Sequence, residues 1–78
     1  MYRGSQLHYK NDICLYLLAE LLLNKKIDVD YTLSLTGISR LTLVRYIASI
    51  KNAMCDFGCY NLDIFYDRKY CCYRCVIL

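Results

Sequence analysis

Residues 35 to 54 constrain the chain more than any other stretch, because Gly37-Ile38-Ser39 reads as the end of one helix and the start of the next. Glycine takes the positive φ that closes a helix without a Cβ penalty, and a serine two residues on can cap the following helix with its hydroxyl. After Ser39, the apolar residues Leu43, Ile47, Ile50 and Met54 recur at steps of four, three and four. That spacing puts them on one side of a helix, and the side faces a core. Arg40, Thr42, Arg45, Ser49 and Lys51 fall mostly on other faces, and no Asp or Glu occurs between Asp30 and Asp56.

The elements around this turn follow from local pattern. Residues 1 to 10 have no period and read as an extended lead, with His8 a surface or packing residue. Asn11 is an N-cap candidate with Asp12 behind it, and a helix over residues 11 to 26 ends at Lys25 and Lys26, whose charges suit a helix C-terminus. Between Ile13 and Leu23 the only charge is Glu20. This helix is apolar on nearly all faces yet shorter than the roughly 20 residues that a membrane span needs. It must be covered, either by the rest of the chain or by a second copy across Leu15, Leu18 and Leu22. A short helix over 30 to 36 takes Asp28 or Asp30 as its cap, and the long helix runs over 39 to 56 until Phe57-Gly58 breaks it. The period then changes to two. Leu62, Ile64 and Tyr66 alternate with Asp63, Phe65 and Asp67, the polar Asp67-Arg68-Lys69 turns, and Tyr70 to Leu78 reads as a return strand, giving a hairpin over 62 to 77.

At 78 residues the chain has room for one domain, 1 to 78, with one small core, and its net charge is only +3. Size favours a binding module over an enzyme with a deep pocket, and no Ser-His-Asp set, paired carboxylates, phosphate loop or metal-ligand histidines are present. Hydrophobic residues make up 58% of the chain and 9 residues are tyrosine, so some apolar surface is expected to be shared with a partner. The six cysteines allow a disulfide framework, a zinc site from Cys55, Cys59, Cys71, Cys72 and Cys75, or reduced thiols acting as small hydrophobes. No secretory signal leads the sequence and helical periodicity is strong, so reduced structural thiols are expected in a cytoplasmic chain without metal or cofactor.

The fold class that results is mainly α with a small β-hairpin (α+β), three helices followed by a two-stranded wing. A basic, acid-free helix entered through a capped glycine turn is what recognition of a DNA groove requires. Leu35-Thr-Gly-Ile-Ser-Arg-Leu-Thr-Leu-Val-Arg-Tyr-Ile, with Ile50 three residues beyond, resembles the turn and recognition helix of winged helix-turn-helix transcription regulators of bacteria and their viruses. The DeoR-like and Mga-like DNA-binding domains are the nearest in pattern. The resemblance covers residues 11 to 76 in order of elements and 35 to 50 in motif. It implies that Ser39 and Thr42 hydrogen-bond phosphates or bases and that Arg40 and Arg45 reach base edges or backbone. Thr32, Lys51 and the wing-tip residues Arg68 and Lys69 complete the expected contacts to double-stranded DNA, bound by a homodimer. The chain departs from the family at Leu33, usually a small alanine, and at Leu41, usually polar. Leu41, Val44 and Ala48 form an apolar row that can meet thymine methyls or, as a second expectation, a protein partner such as another regulator.

Overall fold

The computed structural model describes residues 9–58 and 61–77. The expected lead through His8, and Cys59 of the Cys55/Cys59 pair, lie outside the described residues. Three helices and a three-stranded antiparallel sheet alternate in the order α1 (Lys10–Leu23), β1 (Lys26–Asp28), α2 (Val29–Thr36), α3 (Arg40–Asp56), β2 (Leu62–Asp67) and β3 (Cys72–Ile77). The radius of gyration is 12.2 Å, close to the roughly 11.5 Å of a compact chain of this length.

Helix α1 differs from the expected span at both ends. It starts at Lys10 with Tyr9 at the N-cap and no side-chain cap, so Asn11 lies inside the first turn. It stops at Leu23, where the Asn24 amide returns to Glu20 and the Asn24 side chain donates to the Glu20 carboxylate at 2.8 Å. Lys25 then takes a positive φ of 65°. Lys26 is therefore not a helix end but the first residue of β1, a strand that the sequence pattern does not predict. Its signal was the alternation Ile27, Val29 against Lys26, Asp28, Asp30, too short to stand out as a strand.

Strand β1 changes the architecture of the expected hairpin. The strand order is β1-β3-β2, with Lys26 opposite Arg74 and Asp28 opposite Cys72 on one side of β3. On the other side Ile64 lies opposite Cys75 and Asp67 opposite Cys72. Strand β3 is thus central, and Cys72 and Cys75 are both buried.

The core forms where α1, α3 and the sheet meet. Ile13, Leu17 and Leu21, one turn apart along α1, pack with Leu43, Ile47 and Ile50 of α3 and with Ile27, Val29, Ile64 and Cys75. Helix α2 is seated by Asp28, whose carboxylate accepts from the Tyr31 amide at 2.8 Å. It ends at Gly37, φ 73°, whose amide reaches the Leu33 carbonyl at 2.8 Å.

Candidate functional site

The turn between α2 and α3 fixes how the second helix presents its start. Ser39, in extended conformation, accepts from the Thr42 amide at 3.1 Å, and its hydroxyl donates to Thr42 Oγ1 at 2.9 Å. The cap leaves the first turn of α3 well formed and free of acidic side chains. Opposite the buried Leu43, Ile47 and Ile50, the outer face of α3 carries Leu41, Arg45, Ala48 and Asn52, all exposed, with Thr42 and Val44 on its flanks. Leu41 is 59% and Val44 44% exposed, so the apolar row stands in solvent beside Arg45.

The sheet lies directly beside the start of α3. Val29, Arg40, Leu43, Val44, Tyr66 and Tyr73 line a shallow cavity of about 270 Å³. The two tyrosine rings are 5.2 Å apart at a tilt of 56°. Burial pushes the Tyr73 hydroxyl up from its ordinary pKa, and Arg40 acts against that shift. The hydrogen bond to Cys71 raises Tyr66, with Arg40 again opposing. The guanidinium of Arg40 therefore sits between the tyrosine pair and Asp30, whose carboxylate is 3.7 Å away. Neither the tyrosine pair nor its neighbour Arg40 in this role was legible in the sequence, because the pairing of Tyr66 with Tyr73 depends on strand register.

From Tyr66 the chain runs into the hairpin connection at residues 68–71. Asp67 organises it by accepting from the Lys69 amide at 3.0 Å and from Arg74 Nε at 2.7 Å. The Arg74 guanidinium holds the Asp67 carboxyl below the usual carboxylate range, and Asp67 in turn raises Arg74. Tyr70 receives Lys69 and Arg74 near its ring, at 5.3 and 5.5 Å from the centroid. Arg68 and Lys69 are exposed at the tip.

Two expected contact residues have other roles. Thr32 is 1% exposed and belongs to the packed side of α2, so its side chain does not reach the surface where a ligand would touch it. Its carbonyl accepts from the Thr36 hydroxyl at 2.7 Å. Lys51 faces β2, donating to the Ile64 carbonyl at 3.3 Å with the Asp63 carboxylate 3.4 Å away. It ties α3 to the sheet rather than projecting from the outer face. The structure brings Ser39, Arg40, Thr42 and Arg45 together at the start of α3, with Leu41 and Val44 among them, while Arg68 and Lys69 stand at the adjoining hairpin. Leu15 and Leu22 are exposed on α1, and Leu18 is half-buried against the core.

Among the described residues no three His, Cys, Asp or Glu side chains gather closely enough to hold a metal. Cys55 and Cys71 are exposed and Cys14 is half-buried. Cys71 precedes β3 rather than lying in it, with a positive φ of 51°. Among the described residues no helix is long and apolar enough to cross a membrane. The chain matches no protein-family model, no curated protein and no solved structure.

Proposed function

We propose that this chain is a sequence-specific double-stranded DNA-binding module built on a winged helix-turn-helix plan and acting as a small transcriptional regulator. Helix α2, the Gly37 turn and α3 serve as the helix-turn-helix, α3 enters the major groove, and the β2–β3 hairpin is the wing. The observation that carries this reading is adjacency. The exposed, acid-free start of α3 abuts Tyr66 through Arg40 and Val44, and the strand of Tyr66 leads into Arg68 and Lys69. One surface thus offers a helix for base edges and a basic tip for phosphates. Arg45 is the base-reading candidate, because it is exposed on the outer face and makes no ion pair among the described residues. Thr42 stands beside it, and Leu41 is placed to touch a thymine methyl. On this reading the chain works in the cytoplasm with reduced cysteines.

Fluorescence anisotropy against a duplex selected from a random library tests the reading. Arg45→Ala is expected to weaken binding to the selected site by about 1 to 3 kcal/mol and to relax its sequence preference. Lys69→Ala is expected to weaken all duplexes alike and to flatten the salt dependence by about one unit of slope. No duplex binding even at low salt refutes the proposal.

A second reading is favoured by a specific feature. Arg40 is engaged by Asp30 and Lys51 by Asp63, whereas Leu41 and Val44 are bare, so the same face suits a protein partner such as another regulator. Leu41→Asp separates the two. On the DNA reading it sets a carboxylate beside phosphates and weakens duplex binding that the parent chain possesses. On the protein reading the parent chain has no duplex binding to lose.

A further inference from the structure

We infer that the outer face of α1 is a self-complementary dimer surface, and that its occupant is α1 of a second copy lying antiparallel. Ile13, Leu17 and Leu21 turn inward. The opposite side presents Leu15, Ala19 and Leu22, all exposed, with Leu18 half-buried at its flank. Leu15 is 64% exposed and Leu22 42%. Between Asp12 and Lys25 this side carries no charge, since Glu20 points elsewhere and is engaged by Asn24.

The order of residues along the stripe selects the partner. A two-fold axis passing between Leu18 and Ala19 sets Leu15 opposite Leu22 of the second copy and Leu18 opposite its Ala19. Large residues then meet large ones at the two ends, and the small alanine lets the helices approach in the middle. The same axis brings Asp12, in the first turn, to the end where the second copy carries Lys25, whose ammonium donates to the Leu22 carbonyl at 3.0 Å. Among the described residues neither Asp12 nor Lys25 makes an ion pair. A parallel pairing would instead set Asp12 against Asp12 and Lys25 against Lys25. Opposite charges at opposite ends of an apolar stripe therefore specify the antiparallel arrangement.

The stripe of a helix about 21 Å long is smaller than the roughly 800 Å² that each partner gives to a standard interface. It is, however, continuous with an apolar groove of about 430 Å³ between α1 and α3, lined by Cys14, Leu15, Leu18, Met54 and Phe57 among others. Phe57 is 85% exposed at its rim. In the antiparallel arrangement Leu22 of the second copy arrives beside Leu15, at the mouth of this groove, which extends the contact. Leu41 and Arg45 line neither this stripe nor the groove beside it. The inference does not rest on DNA binding.

Analytical ultracentrifugation of the full chain in reductant, over a concentration series, provides the test. A monomer–dimer equilibrium is expected. Leu15→Glu and Leu22→Lys, both at exposed positions, are each expected to weaken it by about a hundredfold. Combined in one chain they are expected to restore most of the affinity, because the antiparallel register brings each new carboxylate to a new ammonium of the other copy. A circular-dichroism melt checks that each variant is folded, and Ala19→Arg serves as an independent disruptor. The inference is overturned by a chain that stays monomeric throughout, by a dimer indifferent to these substitutions, or by a double variant no better than the single ones. It is equally overturned if a monomer becomes a dimer only after residues 1–8 are removed, which makes that segment the occupant.

Discussion

Replacing Gly37 by alanine isolates the cost of one backbone conformation at the joint between α2 and α3. Gly37 has φ 73°, and a Cβ built there has no atom within 4 Å to meet. Steric clash with the surroundings therefore contributes nothing. What is left is the intrinsic penalty of an L-residue in the left-handed region, about 1 to 2 kcal/mol. Against it stands the reduced freedom of the unfolded chain, which favours alanine by about 0.4 to 1 kcal/mol. The net destabilisation is about 1 kcal/mol, equivalent in a domain of this size to a fall in Tm of about 4 to 8 °C. Asparagine tolerates the left-handed region better, so Gly37→Asn is expected to lose only about half as much. Thermal and urea denaturation followed by circular dichroism measures both. Because the space around the site is open, the start of α3 is expected to keep its position, and the helical signal below the melting range to stay that of the parent. An unchanged or raised Tm for Gly37→Ala, or equal losses for alanine and asparagine, refutes the assignment of the penalty to φ. A loss beyond about 3 kcal/mol refutes the claim that no neighbour is involved.

Three further outcomes follow from the core, the hairpin and the end of α1. Leu17 is fully buried between α1 and α3, so Leu17→Ala is expected to cost about 2 to 5 kcal/mol in urea unfolding, and a loss under 1 kcal/mol refutes its central place. The Asp67 carboxyl is held below its ordinary range by Arg74, so its contribution is complete above about pH 4 and fades as pH falls through the lowered value. The difference in Tm between the parent and Asp67→Asn should therefore be largest near neutrality and shrink in acid, and a difference independent of pH refutes the pairing as its cause. Lys25 has φ 65° without being glycine. Lys25→Gly is expected to stabilise the monomer by roughly 0.5 kcal/mol, despite losing an exposed hydrogen bond to the Leu22 carbonyl at 3.0 Å, and a lowered Tm at a concentration too low for self-association refutes the strain.

What could be read from the residues was whatever local chemistry decides. The Gly37-Ile38-Ser39 turn is legible because each residue satisfies a requirement within four positions of itself. The inward side of α3 is legible because three turns of helix repeat the same spacing. Strand β1 was not, since a three-residue strand is shorter than a period-two pattern needs, and it exists only because β3 pairs with it from the far end of the chain. The position of Lys51 was hidden for the same reason. Nothing near it in sequence indicates that Asp63 and the Ile64 carbonyl will lie within reach. Thr32 is buried where an exposed contact was expected, because a threonine on a short helix is as fit for the interior as for a phosphate, and packing decides between them. The nearly charge-free α1 left open whether the rest of the chain or a second copy covers it; the chain covers Leu17 and Leu21, while Leu15 and Leu22 of the expected outer face are exposed.

The central place of β3 in the sheet bears on how the chain acquires its fold. Lys26 pairs with Arg74, and the same strand also pairs with Leu62–Asp67. Helices can form as soon as their own residues are present, but the middle of the sheet is supplied almost last in sequence. Pairings between distant residues are slow because closing the intervening chain costs entropy before any contact repays it. A ribosome must therefore release residues 72 to 77 before Ile27, Ile64 and Cys75 can share one interior. A chain ending before Cys72 lacks the one strand with which both β1 and β2 pair, and so has no sheet against which α1 and α3 can pack.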